Sequence, residues 1–264
     1  MGSKYNSIKH KKYFSVYDNL FSKYINKKII FVEIGILNGG SLQIWKKFFG
    51  DKARIIGIDL NPKCKKFEEK GIEVFIGDQS NPKFWKYFFR KVGKVDIILD
   101  DGGHTNKQQI LTTVSCIPNI NNNGMLVTED THTSYIKEFN NPNKYSFISF
   151  VKKCIDDINF TFPNLNKFYY SLNKYIYSIQ TFESIVCFHV SRERCYMNKS
   201  ITNKKLSYKI QDYRYYGIKN LETPKKFIFL KKIFLLRKIV IFFRYIIYKT
   251  SNKELDKITS VYFK

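Results

Sequence analysis

Short runs of aliphatic and aromatic residues recur along the first two thirds of the chain, most closing on a glycine or an acid and most followed by a stretch with helical spacing. Ile29–Ile34 closes on Glu33-Ile34-Gly35, and Leu42–Phe49 then sets Leu42, Trp45 and Phe49 on one helical face. Arg54–Ile58 closes on Asp59 and leads to Lys63–Lys70, predicted helical. Ile72–Ile76 closes on Gly77-Asp78 ahead of a predicted helix over Lys83–Lys91, and Val95–Leu99 closes on Asp100 ahead of one over Lys107–Ile117. An Asn-rich segment, Asn119–Gly124, reads as a turn before a strand at Met125–Thr128. This alternation predicts a parallel sheet wound by right-handed crossovers. Tyr13–Ile25 reads as a helix ahead of it and Ser146–Ile158 as a helix after it. Lys174–Gln180 and Ser184–Val190, separated by Thr181-Phe182-Glu183, read as an antiparallel hairpin that finishes the sheet. The expected fold class is α/β, a doubly wound, mostly parallel sheet. The expected organisation is a helical leader over 1–27, a βα domain over 28–190, and a basic, helical extension over 191–264.

Two of the strand ends concentrate chemistry. Asp100-Asp101-Gly102-Gly103-His104 and Glu129-Asp130-Thr131-His132 bring four carboxylates and two imidazoles to the ends of strands that a parallel sheet would space about 4.8 Å apart. Carboxylates crowded without a counter-ion repel by roughly 4 kcal/mol per pair at 4 Å. A divalent cation removes that conflict, and oxygen ligands favour Mg, Mn or Ca over Zn. Successive side chains on a strand point to opposite faces, so Glu129 and Asp130 converge only if the strand ends there, and the same holds for Asp100 and Asp101. The plainer reading makes these acids helix caps or solvated loop residues. Their occurrence at two strand ends favours a ligand site, since open parallel sheets bind ligands at the carboxyl ends of their strands.

The first strand feeds a glycine turn and then a helix, leaving backbone N–H groups free for a ligand. The dinucleotide pattern Gly-x-Gly-x-x-Gly is absent: Gly35 and Gly39 are separated by three residues. Asp59 is placed to accept ribose hydroxyls, and Asp78 and Gln79 lie within reach of an adenine edge. The pattern fits a nucleoside cofactor without a pyrophosphate, S-adenosylmethionine.

Glu33-x-Gly35-x-x-x-Gly39-x-Ser41, Gly77-Asp78-Gln79, Asp100-Asp101-Gly102-x-His104 and Glu129-Asp130-x-His132-Thr133-Ser134-Tyr135 occur in that order. Over roughly Phe31–Tyr135 the chain resembles the metal-dependent class I sugar O-methyltransferases, whose members methylate deoxysugar hydroxyls on macrolide antibiotics. The resemblance implies Asp101, Glu129 and Asp130 as ligands of Mg²⁺ or Mn²⁺ and His104 as the base for the acceptor hydroxyl. It implies Glu33, Gly35, Gly39, Ser41, Asp59, Asp78, Gln79 and Asp100 around S-adenosylmethionine. His132 and Tyr135 are candidates for the acceptor pocket. Gly103 stands where the family usually has Ser, and the Asn-rich segment where it usually has Pro-Gly-Gly. His10 and His189 attract no role.

Composition bounds the remaining choices. The chain has 264 residues, 44% of them hydrophobic, enough for one good-sized domain and an extension. Its formal charge of +24 implies affinity for phosphates, nucleic acid or anionic lipid without choosing among them. Five cysteines without a Cys-x-x-Cys argue against a disulfide framework and fit a reducing cytoplasm. No export signal, acylation motif or spanning helix is expected. The segment 225–249 alternates apolar runs with Lys and Arg, but its charges spread around a helical axis. Packing on the domain or on a second copy of the chain, in a homo-oligomer, is favoured over peripheral contact with the inner membrane face. The acceptor class left open is a nucleotide-linked sugar, a polysaccharide residue or a small glycoside. Competing functions are a nucleic-acid methyltransferase, disfavoured because Asp100-Asp101-Gly102-Gly103-His104 stands where an Asn/Asp-Pro-Pro-aromatic turn is usual, a metal-dependent glycosyltransferase, and a non-catalytic module on the same fold.

Overall fold

The computed structural model describes residues 5–139, 143–159, 171–199, 201, 203 and 259–263. The chain divides into two compact units, Met1–Lys199 and Ser200–Lys264. In the second, Ser260–Phe263 forms a 3₁₀ turn, and the segment 225–249 lies outside the described residues. Among the described residues no helix is long and apolar enough to cross a membrane.

The first unit is built on seven strands: β1 (Ile30–Ile34), β2 (Arg54–Asp59), β3 (Ile72–Ile76), β4 (Val95–Asp100), β5 (Ile120–Thr128), β6 (Ile176–Phe182) and β7 (Ile185–Val190). They lie in the order β3-β2-β1-β4-β5-β7-β6. β1 to β5 pair in parallel, and β7 runs antiparallel to both of its neighbours. The order reverses between β1 and β4, which opens a crevice outside their carboxyl ends.

Both faces of the central strands β1, β2 and β4 are covered, so these strands are largely apolar on both sides rather than alternating with polar residues. On one face Phe31, Ile55, Ile97, Leu99 and Val127 meet α1 (Tyr13–Phe21) and α2 (Gly40–Phe49). Phe21, Trp45 and Phe49 close around Phe31, with Phe31 and Phe49 centroids 4.9 Å apart. On the other face Val32, Ile56, Ile98 and Leu126 meet α3 (Pro82–Val92), the end of α4 (Asn106–Cys116) and α5 (Phe147–Asn159).

Three local readings change. The stretch expected as a helix at Lys63–Lys70 is a 3₁₀ segment, Pro62–Phe67, cut short where Glu69 bridges to Ile72 across Gly71. The expected Asn119–Gly124 turn is instead largely strand, since β5 begins at Ile120. Turn-favouring asparagines are held extended by tertiary partners: Asn121 donates to Asp96 Oδ1 (2.9 Å) and Asn122 accepts from Arg192 N (3.1 Å), with a pairing irregularity between Val95 and Ile97. The β6–β7 connection is Glu183-Ser184 rather than Thr181-Phe182-Glu183; Ser184 takes φ 63° and Phe182 pairs with Ile185.

Candidate active site

The register of the sheet sets the site. Ile34 pairs with Asp100 and Asp100 with Thr128, so Gly35, Asp101 and Glu129 leave the sheet side by side. Asp101 N donates to Ile34 O (3.1 Å) and Glu129 N to Asp100 O (2.9 Å). Gly35 has φ +83°, and a Cβ on it would lie 2.2 Å from the Asp101 carbonyl oxygen. Only glycine lets the loop after β1 lie this close to the loop after β4.

Among the described residues Asp101, His104 and Asp130 form a group whose ligand atoms all lie within 4.8 Å of one another. His104 Nε2 is 3.8 Å from Asp101 Oδ1 and 3.4 Å from Asp130 Oδ2. Two left-handed residues make this possible, His104 at φ 56° and Asp130 at φ 52°. β5 ends at Thr128, and the left-handed turn at Asp130 swings its carboxylate toward Asp101. Such conformations cost on the order of 1–3 kcal/mol each and cluster at functional sites. Thr133 Oγ1 pins the loop by donating to His104 O (2.8 Å).

Glu129, expected with the other two acids on one ion, is not among the three residues of that group. Its Oε1 accepts from Tyr17 OH (2.5 Å), and its Oε2 lies 3.4 Å from Lys9 Nζ. The same ammonium is 2.5 Å from Asp101 Oδ2 and 3.2 Å from Glu33 Oε1, on a side chain only 7% exposed. Burial works against the charge on Lys9, but Glu33, Glu129 and Asp101 outweigh it and raise its pKa above the ordinary lysine value. Burial also raises the carboxyls of Glu33 and Glu129, with Lys9 opposing it. Part of the counter-charge required by the crowded acids is therefore supplied by the chain itself, from a residue that sequence reading left in the leader.

A cavity of about 500 Å³ adjoins this group. Gly35, Ser41, Asp59, Asp78 and Gln79 line it together with Asp101 and His104, and Asn6, Ser7, Ile8 and Lys9 form one wall. This strap packs so closely that a Cβ on Gly40 would lie 2.3 Å from the Asn6 carbonyl oxygen. Asp59 Oδ2 accepts from Ile36 N (3.0 Å) and Leu37 N (3.1 Å), which shapes the glycine turn. Asp78 binds Ser80 through both oxygens. Gln79, buried, donates to Asp100 Oδ1 (2.8 Å) and Thr112 Oγ1 (3.1 Å) and accepts from Gly103 N (2.9 Å).

Other expected cofactor residues stand behind the cavity wall. Glu33 is buried against Lys9 and Ser41, whose Oγ donates to it at 2.6 Å. Gly39 faces the Phe67 ring. Asp100 is buried beside Gln79, and burial pushes its carboxyl up to about 7. His132 Nδ1 lies 4.0 Å from Asp130 Oδ1, while Tyr135 is 63% exposed, and neither lines the cavity. His10, given no role by the sequence, comes within 3.9 Å of Asp130 Oδ1. Sequence reading missed Lys9, Tyr13 and Tyr17; for the two tyrosines the available signal was hydroxyls four residues apart along the otherwise apolar face of a helix that had to be buried, while Lys9 precedes that helix.

No family model matches the chain. Demethylmacrocin O-methyltransferase of Streptomyces fradiae is 32% identical over 154 residues, 54% of this chain and 38% of that protein. Mycinamicin VI 2''-O-methyltransferase of Micromonospora griseorubida is 33% identical over 126 residues, 45% of this chain and 31% of that protein. The MycE methyltransferase from the mycinamycin biosynthetic pathway, solved with Mg, SAH and mycinamycin VI, superposes with a TM-score of 0.64 at 25% identity over 72% of this chain and 52% of that one. This chain is similar to sugar O-methyltransferases. The likeness carries the Rossmann-like methyltransferase fold, with its crevice at the β1–β4 switch point. The chain spans less than half the length of the curated sugar O-methyltransferases it matches.

Proposed function

We propose that the chain is an S-adenosylmethionine-dependent, Mg²⁺-assisted O-methyltransferase acting on a sugar hydroxyl. The observation that carries this reading is the junction of the cavity beside Asp59, Asp78 and Gly35 with the group Asp101, His104 and Asp130. The similar MycE structures hold Mg and SAH, and one also holds mycinamycin VI. Charge agrees: Glu33, Asp59, Asp78, Asp100, Asp101, Glu129 and Asp130 gather at one sheet edge of a chain whose formal charge is +24. An acidic edge suits a sulfonium cofactor and a divalent ion, both cationic.

The donor set fits a hard divalent ion. Asp101 and Asp130 supply carboxylate oxygens, and such an ion keeps further positions for water and acceptor oxygens. Glu129, whose Oε2 shares Lys9 with Asp101, stands beside this pair as the expected third carboxylate. A bound ion would lower the pKa of an acceptor hydroxyl and fix its place. His104 Nε2, set between the two carboxylates, takes the hydroxyl proton as the oxygen bonds to the methyl carbon and the carbon–sulfur bond breaks. Asp59 and the turn it organises hold the nucleoside, and the strap over Asn6–Lys9 closes the cavity from one side. His132, beside Asp130 and 45% exposed, and the exposed Tyr135 are the residues proposed to meet the acceptor.

The acceptor is a sugar-containing small molecule or nucleotide sugar. The five unpaired cysteines support a reducing, cytoplasmic setting. Transfer of labelled methyl from S-adenosylmethionine to a panel of sugar nucleotides and glycosides, with Mg²⁺ and after exhaustive EDTA treatment, tests the reading. Metal-dependent methylation supports it. Methylation insensitive to EDTA removes the ion, and nucleotide-sugar hydrolysis without methylation assigns a glycosyltransferase instead.

A further inference from the structure

Each of the two carboxylates that face His104 is gripped from behind by a group from the N-terminal segment. Lys9 Nζ lies 2.5 Å from Asp101 Oδ2, while Asp101 Oδ1 faces His104 Nε2 at 3.8 Å. Tyr13 OH donates to Asp130 Oδ1 at 2.5 Å, while Asp130 Oδ2 faces His104 Nε2 at 3.4 Å. On each acid one oxygen is engaged and the other is turned to a common point. His10 and His132 also approach Asp130 Oδ1, at 3.9 and 4.0 Å.

Resting on the reading of this group as a divalent-ion centre, we infer that Lys9 and Tyr13 are positioning residues for it. They fix the rotation of the Asp101 and Asp130 carboxylates, so that Asp101 Oδ1 and Asp130 Oδ2 are presented together. The torsion that turns a carboxylate about its Cβ–Cγ bond is broad and two-fold, so an aspartate without an outer partner samples orientations that do not bind. Partners on the outer oxygen remove that freedom, and their loss from a metal site typically costs 10–100-fold in metal affinity.

The construction is specific to the polar atoms. Tyr13 is 4% exposed and its ring packs in the core, where phenylalanine would serve equally; the hydroxyl has its use at Asp130. An ionised carboxylate only accepts, so both Lys9 and Tyr13 act as donors. Tyr17, one helical turn after Tyr13, continues the row to Glu129. The strap that walls the cofactor cavity ends in Lys9 and leads into α1, which carries Tyr13, so one N-terminal segment reaches both the cavity and the ion centre. Seating of this segment prepares both.

The test is Mn²⁺ binding to the full chain, read by electron paramagnetic resonance, for the wild type, Tyr13→Phe and Lys9→Met, with SAH affinity measured by calorimetry on the same samples. The expected result is a loss of about tenfold or more in Mn²⁺ affinity in each variant, with Tyr13→Phe keeping wild-type SAH affinity within about twofold because Tyr13 does not line the cofactor cavity. A smaller loss, or none, overturns the inference. Tighter Mn²⁺ binding by Lys9→Met also overturns it, by showing that the ammonium competes with the ion. Parallel loss of Mn²⁺ and SAH binding in Tyr13→Phe assigns a general structural role and overturns it as well. Should Lys9→Met fail to fold, Tyr13→Phe decides alone, since it keeps the ring. A wild type that binds SAH but no Mn²⁺ would instead strike the ion-centre reading on which the inference stands.

Discussion

The hydroxyl of Tyr17 donates to Glu129 Oε1 at 2.5 Å, joining residues 112 positions apart in a buried contact. Glu129 is 1% exposed, so this bond satisfies a carboxylate oxygen that water does not reach. Tyr17→Phe keeps the ring and strands the acceptor. The expected loss is about 1–3 kcal/mol of stability, measured by urea unfolding.

His104→Ala removes the proposed proton acceptor. Turnover should fall by about 10² to 10⁴, while SAH affinity measured by calorimetry stays near the wild-type value. A fully active variant excludes His104 as the base.

Asp59 draws Ile36 N and Leu37 N to one oxygen and Asn61 N to the other, at 2.8–3.1 Å. Asp59→Ala releases the turn and removes an acceptor from the cofactor cavity. Bonds to a charged group contribute about 1.5–3 kcal/mol, so SAH should bind about tenfold more weakly or worse. Unchanged affinity would place the cofactor elsewhere.

Gly35→Ala meets two obstacles, a φ of +83° and a backbone oxygen 2.2 Å from the new Cβ. The obstructing atom belongs to Asp101, the residue that must stay in place. Thermal unfolding should show a loss of about 2–6 kcal/mol, the combined scale of backbone strain and overpacking.

His189 lies between Gln180 Oε1 (3.1 Å) and the Cys187 sulfur (3.5 Å), and burial lowers its pKa below the ordinary value of 6.5. The unfolded chain then binds more protons than the folded one as pH drops below 6.5. Stability present above that pH is lost as pH falls through the folded value. His189→Gln should flatten this acid-side slope in denaturant titrations between neutral and mildly acidic pH; an unaltered slope assigns the effect to other groups.

The winding of the sheet was legible because β1, β2 and β4 are short apolar runs in their expected places that the parallel sheet buries on both faces, and the apolar end of β5 at Met125–Thr128 is another. The acids at the strand ends were legible for the same reason, since a polar residue at the close of a buried strand falls at the sheet edge. Where local preference and tertiary partners disagreed, the partners prevailed, as at Asn121 and Asn122, which hydrogen bonds draw into β5. The short segment Pro62–Phe67 shows the opposite limit, a helical spacing without the length to form an α-helix before Gly71 turns the chain.

The sequence by itself determined the α/β order, the edge at which the chemistry gathers and the residue types brought there. Periodicity encodes which side chains are buried, and that is a local property. Tertiary structure decided which acids meet. The left-handed turn at Asp130 sends its carboxylate toward His104, while Glu129, one residue earlier, is claimed by Tyr17 and Lys9. It also decided that a lysine 92 positions from Asp101 stands among the acids, because the place of an ammonium depends on how α1 and the strap before it pack across the sheet, and no spacing along the chain records that.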